Sequence, residues 1–172
     1  MIELMTVLTV AAVIAAVGIP SYRYVTTSNR ISGEINTLLG DLQFARYEAI
    51  REGLPVTVCP ATTSAPTTCD TSLTWSEGWI VLSNAASGYG AATVIRRQRP
   101  FTSLNSSDTL TASTGVNSLV FNREGFVTPA AAAKFTLTDP TANSGFTRCL
   151  MVSAAGAMST VASGASLYAE TC

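Results

Sequence analysis

The chain has 172 residues, of which 47% are apolar and 12% are charged, and this composition excludes intrinsic disorder. Its formal net charge of −1 argues against a generally basic nucleic-acid binder. The sequence contains no histidine, which excludes Ser–His and Cys–His hydrolases, histidine-ligated zinc and haem sites, and HExxH metalloproteases.

The first element is an apolar run, MIELMTVLTVAAVIAAVGIP, in which Glu3 is the one charged residue. As a helix, the uncharged stretch from Leu4 to Ile19 would span about 24 Å, against a hydrocarbon core of about 30 Å. A buried core helix fits poorly because the run is apolar on all sides. A secretory signal peptide is the alternative, although no lysine or arginine precedes the run. The pattern favours a helix that lies in a membrane or packs against other copies of itself.

The helix is predicted to continue beyond Pro20 and to stop at Gly53 and Pro55, with a kink or a locally melted segment at Gly18 and Pro20. A helix over 1–52 would be about 78 Å long, too long for the remaining residues to bury its first half. Its second half has an apolar stripe at spacings of four and three, which predicts a face packed on a core: Ile31, Ile35, Leu38, Leu42, Ala45 and Ala49.

The rest of the chain is rich in short β-branched and aromatic runs separated by Ser/Thr/Gly/Asn/Pro clusters, which predicts an α+β domain. The Ser/Thr-rich stretches 60–74 and 102–117 are interpreted as surface loops. Trp75 and Trp79 are expected to pack in the core. The predicted strands are Val56–Cys59, Gly78–Leu82, Ala92–Arg97, Ser118–Phe121, Lys134–Leu137 and Cys149–Val152.

The N-terminal motif Ile2-Glu3-Leu4-Met5, the apolar run and Pro20, seventeen residues after the glutamate, resemble the N-terminal helix of type IV pilins and type II secretion pseudopilins. Further blocks along the chain are similar to FimT/FimU-type minor pilins and GspH-type pseudopilins: Gln43–Ile50, Val56–Pro60, Trp75–Val81, Val94–Arg96, Phe121–Gly125 and Arg148–Ser153.

The resemblance implies a type IV pilin-like fold, a long N-terminal α-helix packed on a C-terminal antiparallel β-sheet domain. Residues 1–24 would form the hydrophobic membrane and assembly helix, and residues 25–172 a soluble head. The implied function is that of a structural minor pilin or pseudopilin, without cofactor or catalysis. Such a subunit would help to initiate or cap assembly of a type IV pilus or a type II secretion pseudopilus.

The resemblance also implies partners and a location. The partners are the major pilin, other minor pilins or pseudopilins and the inner-membrane assembly platform. The family's processing motif is Gly-Phe-Thr-Leu-Ile-Glu-Leu; Met1 stands at its leucine, so prepilin peptidase would act if the true N-terminus lies upstream. Glu3 would pair with the free N-terminal amine of a neighbouring subunit. The protein would cross the bacterial inner membrane once, with a periplasmic head, and reach the cell surface in a filament.

The four cysteines allow three complete pairings. Cys59 with Cys69 and Cys149 with Cys172 is the pairing that closes neighbouring loops and that the resemblance implies. Together with an exported N-terminus, the even count indicates an oxidising compartment. A zinc site is disfavoured because the sequence has neither CxxC nor histidine.

Nucleic-acid binding is the alternative function, as in FimT-like minor pilins that act in DNA uptake. Arg96, Arg97 and Arg99 form a basic cluster, but on a strand Arg96 and Arg97 would point to opposite faces. DNA-uptake members have a basic Gly-Arg-x-Arg motif, and the corresponding stretch here, Gly156–Ser159, reads Gly-Ala-Met-Ser. An enzyme is disfavoured, since no GxSxG, SxxK or P-loop spacing occurs and Lys134 is the single lysine.

Overall fold

The computed structural model describes residues 2–61, 67–70, 72, 74–83, 92–100, 108–168 and 170–172, with the backbone alone at Pro20 and Glu170. The chain divides into two compact units, Met1–Arg30 and Ile31–Cys172. The elements, in order, are α1 (Ile2–Glu52), β1 (Val56–Pro60), a 3-10 turn (Trp75–Glu77), β2 (Trp79–Ser83), β3 (Thr93–Gln98), β4 (Thr109–Ala112), β5 (Leu119–Phe121), β6 (Val127–Thr128), β7 (Ala133–Thr138), β8 (Arg148–Val152), β9 (Met158–Ala162), β10 (Ser166–Leu167) and β11 (Glu170–Thr171).

Helix α1 is continuous through Gly18 and Pro20, so the prediction of a locally melted segment there is wrong. One proline removes a single backbone hydrogen bond, and the turns on either side retain theirs. The kink at these residues stays a prediction. The predicted stop is confirmed: Gly53 follows the helix with φ of 68°, a left-handed conformation that glycine adopts without strain, and Pro55 comes two residues later.

In the first unit, the apolar side chains of the run are exposed. The large ones range from 55% exposed at Ile19 to 78% at Ile2. An isolated helix gains too little from its backbone bonds to leave such a surface in water. This stretch therefore needs an apolar environment from outside the chain.

In the second unit, the predicted stripe of α1 is buried at every position, with side-chain exposures from 0 to 2%, which confirms the prediction. The stripe packs in one core with side chains of two antiparallel sheets. Among the described residues, one sheet has the strand order β3-β2-β1-β5-β6 and the other β4-β7-β8-β9, and β10 pairs with β11. The predicted α+β fold, a long N-terminal helix followed by antiparallel sheets, is confirmed.

The six predicted strands are present as β1, β2, β3, β5, β7 and β8. The interpretation of 102–117 as a loop is wrong at β4, which pairs with β7 over Thr109–Ala112. In β4 only Leu110 is fully buried, so its pattern is too weak to identify and pairing with β7 decides its conformation. The sequence also does not predict β6, β9, β10 and β11. Within 60–74, residue 60 ends β1, and residues 62–66, 71 and 73, like 101–107, lie outside the described part.

Candidate assembly helix and head surface

The first turns of α1 carry a carboxylate, Glu3, and two threonine hydroxyls whose hydrogen bonds go to backbone carbonyls of the helix. Glu3 is exposed. Thr6 Oγ1 donates to the Glu3 carbonyl at 2.8 Å, and Thr9 Oγ1 donates to the Thr6 carbonyl at 2.8 Å. Because both hydroxyls have partners within the helix, they add little cost to burial in an apolar environment.

The apolar run also has a defined second end, where Tyr22 and Tyr24 are 71% and 59% exposed. Exposed tyrosines at the end of an apolar helix are enriched at membrane–water interfaces. From Glu3 to Tyr22 the helix rises about 28 Å, which matches a hydrocarbon core of about 30 Å. By length and composition, α1 is able to cross a membrane. Pro20 lies within this stretch, and its backbone continues the helix.

In the head, a buried carboxylate joins α1 to the sheet. Asp41 is only 4% exposed. Its carboxylate accepts a hydrogen bond from Trp79 Nε1 at 2.9 Å and forms an ion pair with the Arg96 guanidinium at 3.0 Å. The Arg96 guanidinium also lies 5.0 Å from the centre of the Phe44 ring. Burial raises the pKa of Asp41, while the Trp79 hydrogen bond and the Arg96 charge oppose that rise. Trp79 therefore packs in the core as predicted, and its indole N–H also stabilises the buried Asp41 carboxylate by a hydrogen bond.

In β3, a β-bulge precedes two neighbouring arginines that lie on opposite faces of the strand. The β2–β3 register shifts so that Val81 lies opposite Arg96 and Leu82 opposite Val94, which leaves Ile95 as the extra residue. Arg96 lies on the helix side, while Arg97 lies opposite Ile80, a member of the smaller cluster on the other face of the sheet. Arg97 and Arg99 are exposed. The three arginines thus do not form one surface, as the alternation of strand side chains predicts.

The stretch that corresponds to the DNA-uptake motif is packed against α1 by an arginine from the helix. Arg46 Nε donates to the Gly125 carbonyl at 3.0 Å, and its Nη2 donates to the Ala155 carbonyl at 3.3 Å. Gly156 has φ of 75°, and a Cβ there would lie 2.3 Å from the Gly125 carbonyl oxygen. The turns at Gly125 and Gly156 therefore meet at Arg46. Ala157 and Ser159 stand where the DNA-uptake motif has its two arginines, so this stretch supplies no positive charge.

Both expected disulfide bonds are present, Cys59–Cys69 and Cys149–Cys172. The first lies in the small cluster on the outer face of β1 and β2 with Ile80 and Leu82. The second holds the end of the chain against β8. Within the described residues, no group of three His, Cys, Asp or Glu side chains could hold a metal ion.

Sequence reasoning missed Asp41 and Arg46 as interacting residues. Both flank the apolar stripe of α1, where a charged side chain is ordinarily solvated. Their partners are Trp79 on β2 and backbone carbonyls of two turns far along the chain. No local spacing encodes such partners, so only the folded chain reveals them.

A family model described as "Type II transport protein GspH" matches residues 34–156, well over half of the chain. No functionally curated protein matches this chain in sequence. Two crystal forms of the type IV minor pilin FimU from Pseudomonas aeruginosa share the fold at 20% identity. Their TM-scores are 0.59 and 0.53, over 76% and 79% of this chain and 87% and 90% of FimU.

The minor pseudopilin EpsH from the type 2 secretion system of Vibrio cholerae is similar with a TM-score of 0.55 at 12% identity, over 77% of this chain and 97% of EpsH. Members of this family are structural subunits that assemble with other pilins or pseudopilins in a filament. The match over residues 34–156 means that the chain belongs to the GspH family of minor pilins and pseudopilins.

Proposed function

We propose that this chain helps to initiate or cap a type IV pilus or a type II secretion pseudopilus. The observation that carries the proposal is the apolar surface of α1 between Ile2 and Val25, which is exposed in the described part of the chain. Filament neighbours or lipid supply the apolar environment that this surface requires. A minor subunit enters the filament in few copies, so it affects growth most at the start or the end.

Before assembly, α1 would anchor the chain once in the bacterial inner membrane, with the head in the periplasm. The placement is supported by the rise of about 28 Å from Glu3 to Tyr22, which puts a charge and an aromatic ring at opposite interfaces. The two disulfide bonds suit the oxidising periplasm. After assembly, the head would lie on a filament at the cell surface.

Glu3 is proposed as the residue that selects a neighbour. An unpaired carboxylate buried among the apolar helices of a filament is costly, and an N-terminal amine of the adjacent subunit would offset that cost. The further partners are the major pilin, other minor pilins or pseudopilins and the inner-membrane assembly platform. Prepilin peptidase would process the chain if its true N-terminus lies upstream of Met1.

The test replaces Glu3 in cells that assemble the filament. Glu3→Gln keeps the shape of the side chain and removes its charge. We expect the amount of the variant chain in sheared filaments to fall at least tenfold, while its amount in the membrane fraction stays unchanged. Glu3→Asp retains the carboxylate and should restore part of the incorporation. Immunoblots of the two fractions give both quantities, and the disulfide state reports on folding of the head.

Normal incorporation of Glu3→Gln would remove Glu3 from assembly. The initiating or capping role has a separate readout, the number and length of filaments by electron microscopy. Without this chain, we expect fewer filaments of ordinary length. A decrease in length at constant number would instead place its action in elongation and contradict initiation.

A further inference from the structure

The two larger sheets have four edge strands, β3 and β6 in one sheet and β4 and β9 in the other. An open edge presents unpaired N–H and C=O groups that can pair with another chain, and proteins normally protect such edges. Three of these edge strands are protected in this head, and β9 is not.

The edge of β4 is closed by a side chain. Ser76 Oγ accepts a hydrogen bond from Leu110 N at 2.7 Å and donates to the Leu110 carbonyl at 3.2 Å. The serine hydroxyl thereby takes both backbone groups that the middle of β4 would offer to a further strand.

The two edges of the five-stranded sheet are protected differently. β6 has two residues, and Val127 N already donates to the Ala154 carbonyl at 3.0 Å. β3 contains the bulge at Ile95 and the charged pair Arg96 and Arg97. Short length, a bulge and charge are the usual devices that prevent a further strand from adding.

β9 has none of these devices. Its sequence Met-Ser-Thr-Val-Ala lacks charge, proline and glycine, and it pairs with β8 at five positions without a register shift. Hydrogen-bonded pairs alternate along such a ladder. Because Ser153 N donates to the Ala157 carbonyl just before the strand, the backbone groups of Met158, Thr160 and Ala162 point away from β8. The Ala162 carbonyl accepts a hydrogen bond from Ala165 N at 3.1 Å. In the described part of the chain, the Ala162 N–H and the backbone groups of Met158 and Thr160 have no hydrogen-bond partner.

Each face of β9 has a neighbour in the head, and residues 158–161 are half-buried. On the inner face, Met158 packs against the main core. On the outer face, the Cys149–Cys172 disulfide holds the chain end near the strand, with Cys172 Sγ 4.0 Å from the Val161 carbonyl oxygen.

A groove of about 510 Å³ begins where β9 starts, lined by Arg46, Tyr47 and Ile50 of α1 and by Ala157 and Met158. Tyr47 and Ile50 are 62% and 51% exposed. A strand that pairs with β9 and continues past Met158 would place a side chain in this groove. In strand addition, backbone bonds provide affinity and such side-chain pockets provide specificity.

We propose that β9 accepts an extended, uncharged strand of a different filament subunit, which adds to the four-stranded sheet and inserts an apolar side chain beside Tyr47 and Ile50. A second copy of this chain is excluded as the partner by symmetry. Two β9 strands that pair with each other form a closed twofold dimer, whereas a filament grows through head-to-tail contacts between different surfaces. The inference rests on the proposed function, since it requires that the chain joins other subunits.

The experiment expresses the full chain with each other pilin-type subunit of its own assembly system and purifies the pair in detergent micelles. We expect one subunit to copurify and to slow amide hydrogen exchange of Met158, Thr160 and Ala162 at least tenfold, relative to the chain alone. Thr160→Lys, a charge in the middle of the open edge, should reduce copurification at least tenfold. The control is Thr111→Lys, at an exposed position in the middle of the β4 edge that Ser76 already closes, and it should bind as wild type.

The inference is overturned if no subunit copurifies, if one binds while the three β9 amides exchange as before, or if Thr160→Lys binds as wild type. Slowed exchange in the chain alone, with dimer formation, would make a second copy the occupant and also overturn it. If Thr160→Lys fails to form both disulfides, Ala162→Lys at the exposed end of β9 replaces it. Incorporation of Glu3→Gln does not depend on β9, so failure of the proposed function is recognised separately.

Discussion

The two parts of α1 have the same secondary structure and opposite relations to their own chain. From Ile2 to Val25 the large apolar side chains are exposed, whereas the stripe from Ile31 to Ala49 is at most 2% exposed. Both parts are rich in apolar residues, but only the second arranges them on one face. The difference shows that the distribution of apolar residues around a helix, more than their number, decides whether the chain can bury them itself.

The largest expected effect separates these two parts directly. Leu42→Ala removes a fully buried side chain, so we expect the free energy of unfolding of the head to fall by about 2–5 kcal/mol. Leu8→Ala makes the same change at a residue that is 59% exposed and should leave that free energy unchanged. Urea unfolding of the full chain in detergent micelles, followed by tryptophan fluorescence, measures both. Equal losses for the two variants would contradict the comparison.

The comparison also explains which parts of the fold could be predicted from the sequence. The stripe, the stop at Gly53 and six strands follow from local periodicity and turn residues, which act over a few positions. The strand β4 could not be predicted, because one buried residue, Leu110, does not make a pattern. Its conformation depends on β7 and on Ser76, both distant in sequence.

A pair of glycines sharpens the comparison within the head. Gly156→Ala would place a methyl group against the Gly125 carbonyl oxygen in a left-handed backbone, and we expect a loss of about 1–3 kcal/mol in the free energy of unfolding. Gly40→Ala, on α1 with nothing within 4 Å of the new methyl group, should gain about 0.5–1 kcal/mol. Thermal unfolding of both variants gives the two signs. A stabilised Gly156→Ala would contradict the close approach of this turn to the Gly125 carbonyl.

The candidate site was predictable only in part, for the same physical reason. Glu3 could be singled out because it is a lone charge in an apolar run, and the cysteine pairs because they close neighbouring loops and the family resemblance implies them. Asp41 carries no such signal, since a carboxylate beside an apolar stripe is usually solvated. Its burial depends on Trp79 and Arg96, which reach it only after the sheet has formed. The open edge of β9 is likewise a property of the assembled sheet.

The next effect is the pH dependence of the free energy of unfolding, to which Asp41 and Asp70 should contribute with opposite sign. Burial raises the pKa of Asp41 above 3.8 in the folded chain, so the folded state binds its proton more tightly than the unfolded state. Relative to Asp41→Asn, wild type should therefore lose stability as pH rises from 3.8 through the folded pKa. Hydrogen bonds from Ser72 lower the pKa of Asp70, so relative to Asp70→Asn wild type should lose stability as pH falls below 3.8.

Urea unfolding of the three proteins between pH 3 and 7 gives these differences. Arg96→Gln adds a second measure, because it leaves the Asp41 carboxylate buried without its ion pair. At neutral pH we expect a loss of about 1–2 kcal/mol, a modest value since the Arg96 side chain is 49% exposed. The loss should shrink in acid. A loss independent of pH would mean that Arg96 acts through its contact with Phe44 instead.

The smallest expected effect concerns DNA, and it compares Arg97 and Arg99 with Arg96. Two exposed arginines can neutralise about two phosphates, so binding of a DNA duplex should be weak and fall about tenfold between 50 and 200 mM salt. Gel retardation of the full chain in detergent measures this, with Arg97→Gln/Arg99→Gln losing the shift and Arg96→Gln retaining it, because Arg96 is engaged by Asp41. Tight retardation that persists at 200 mM salt and requires Arg97 and Arg99 would instead support a role in DNA uptake, since it would need more phosphate contacts than these residues provide.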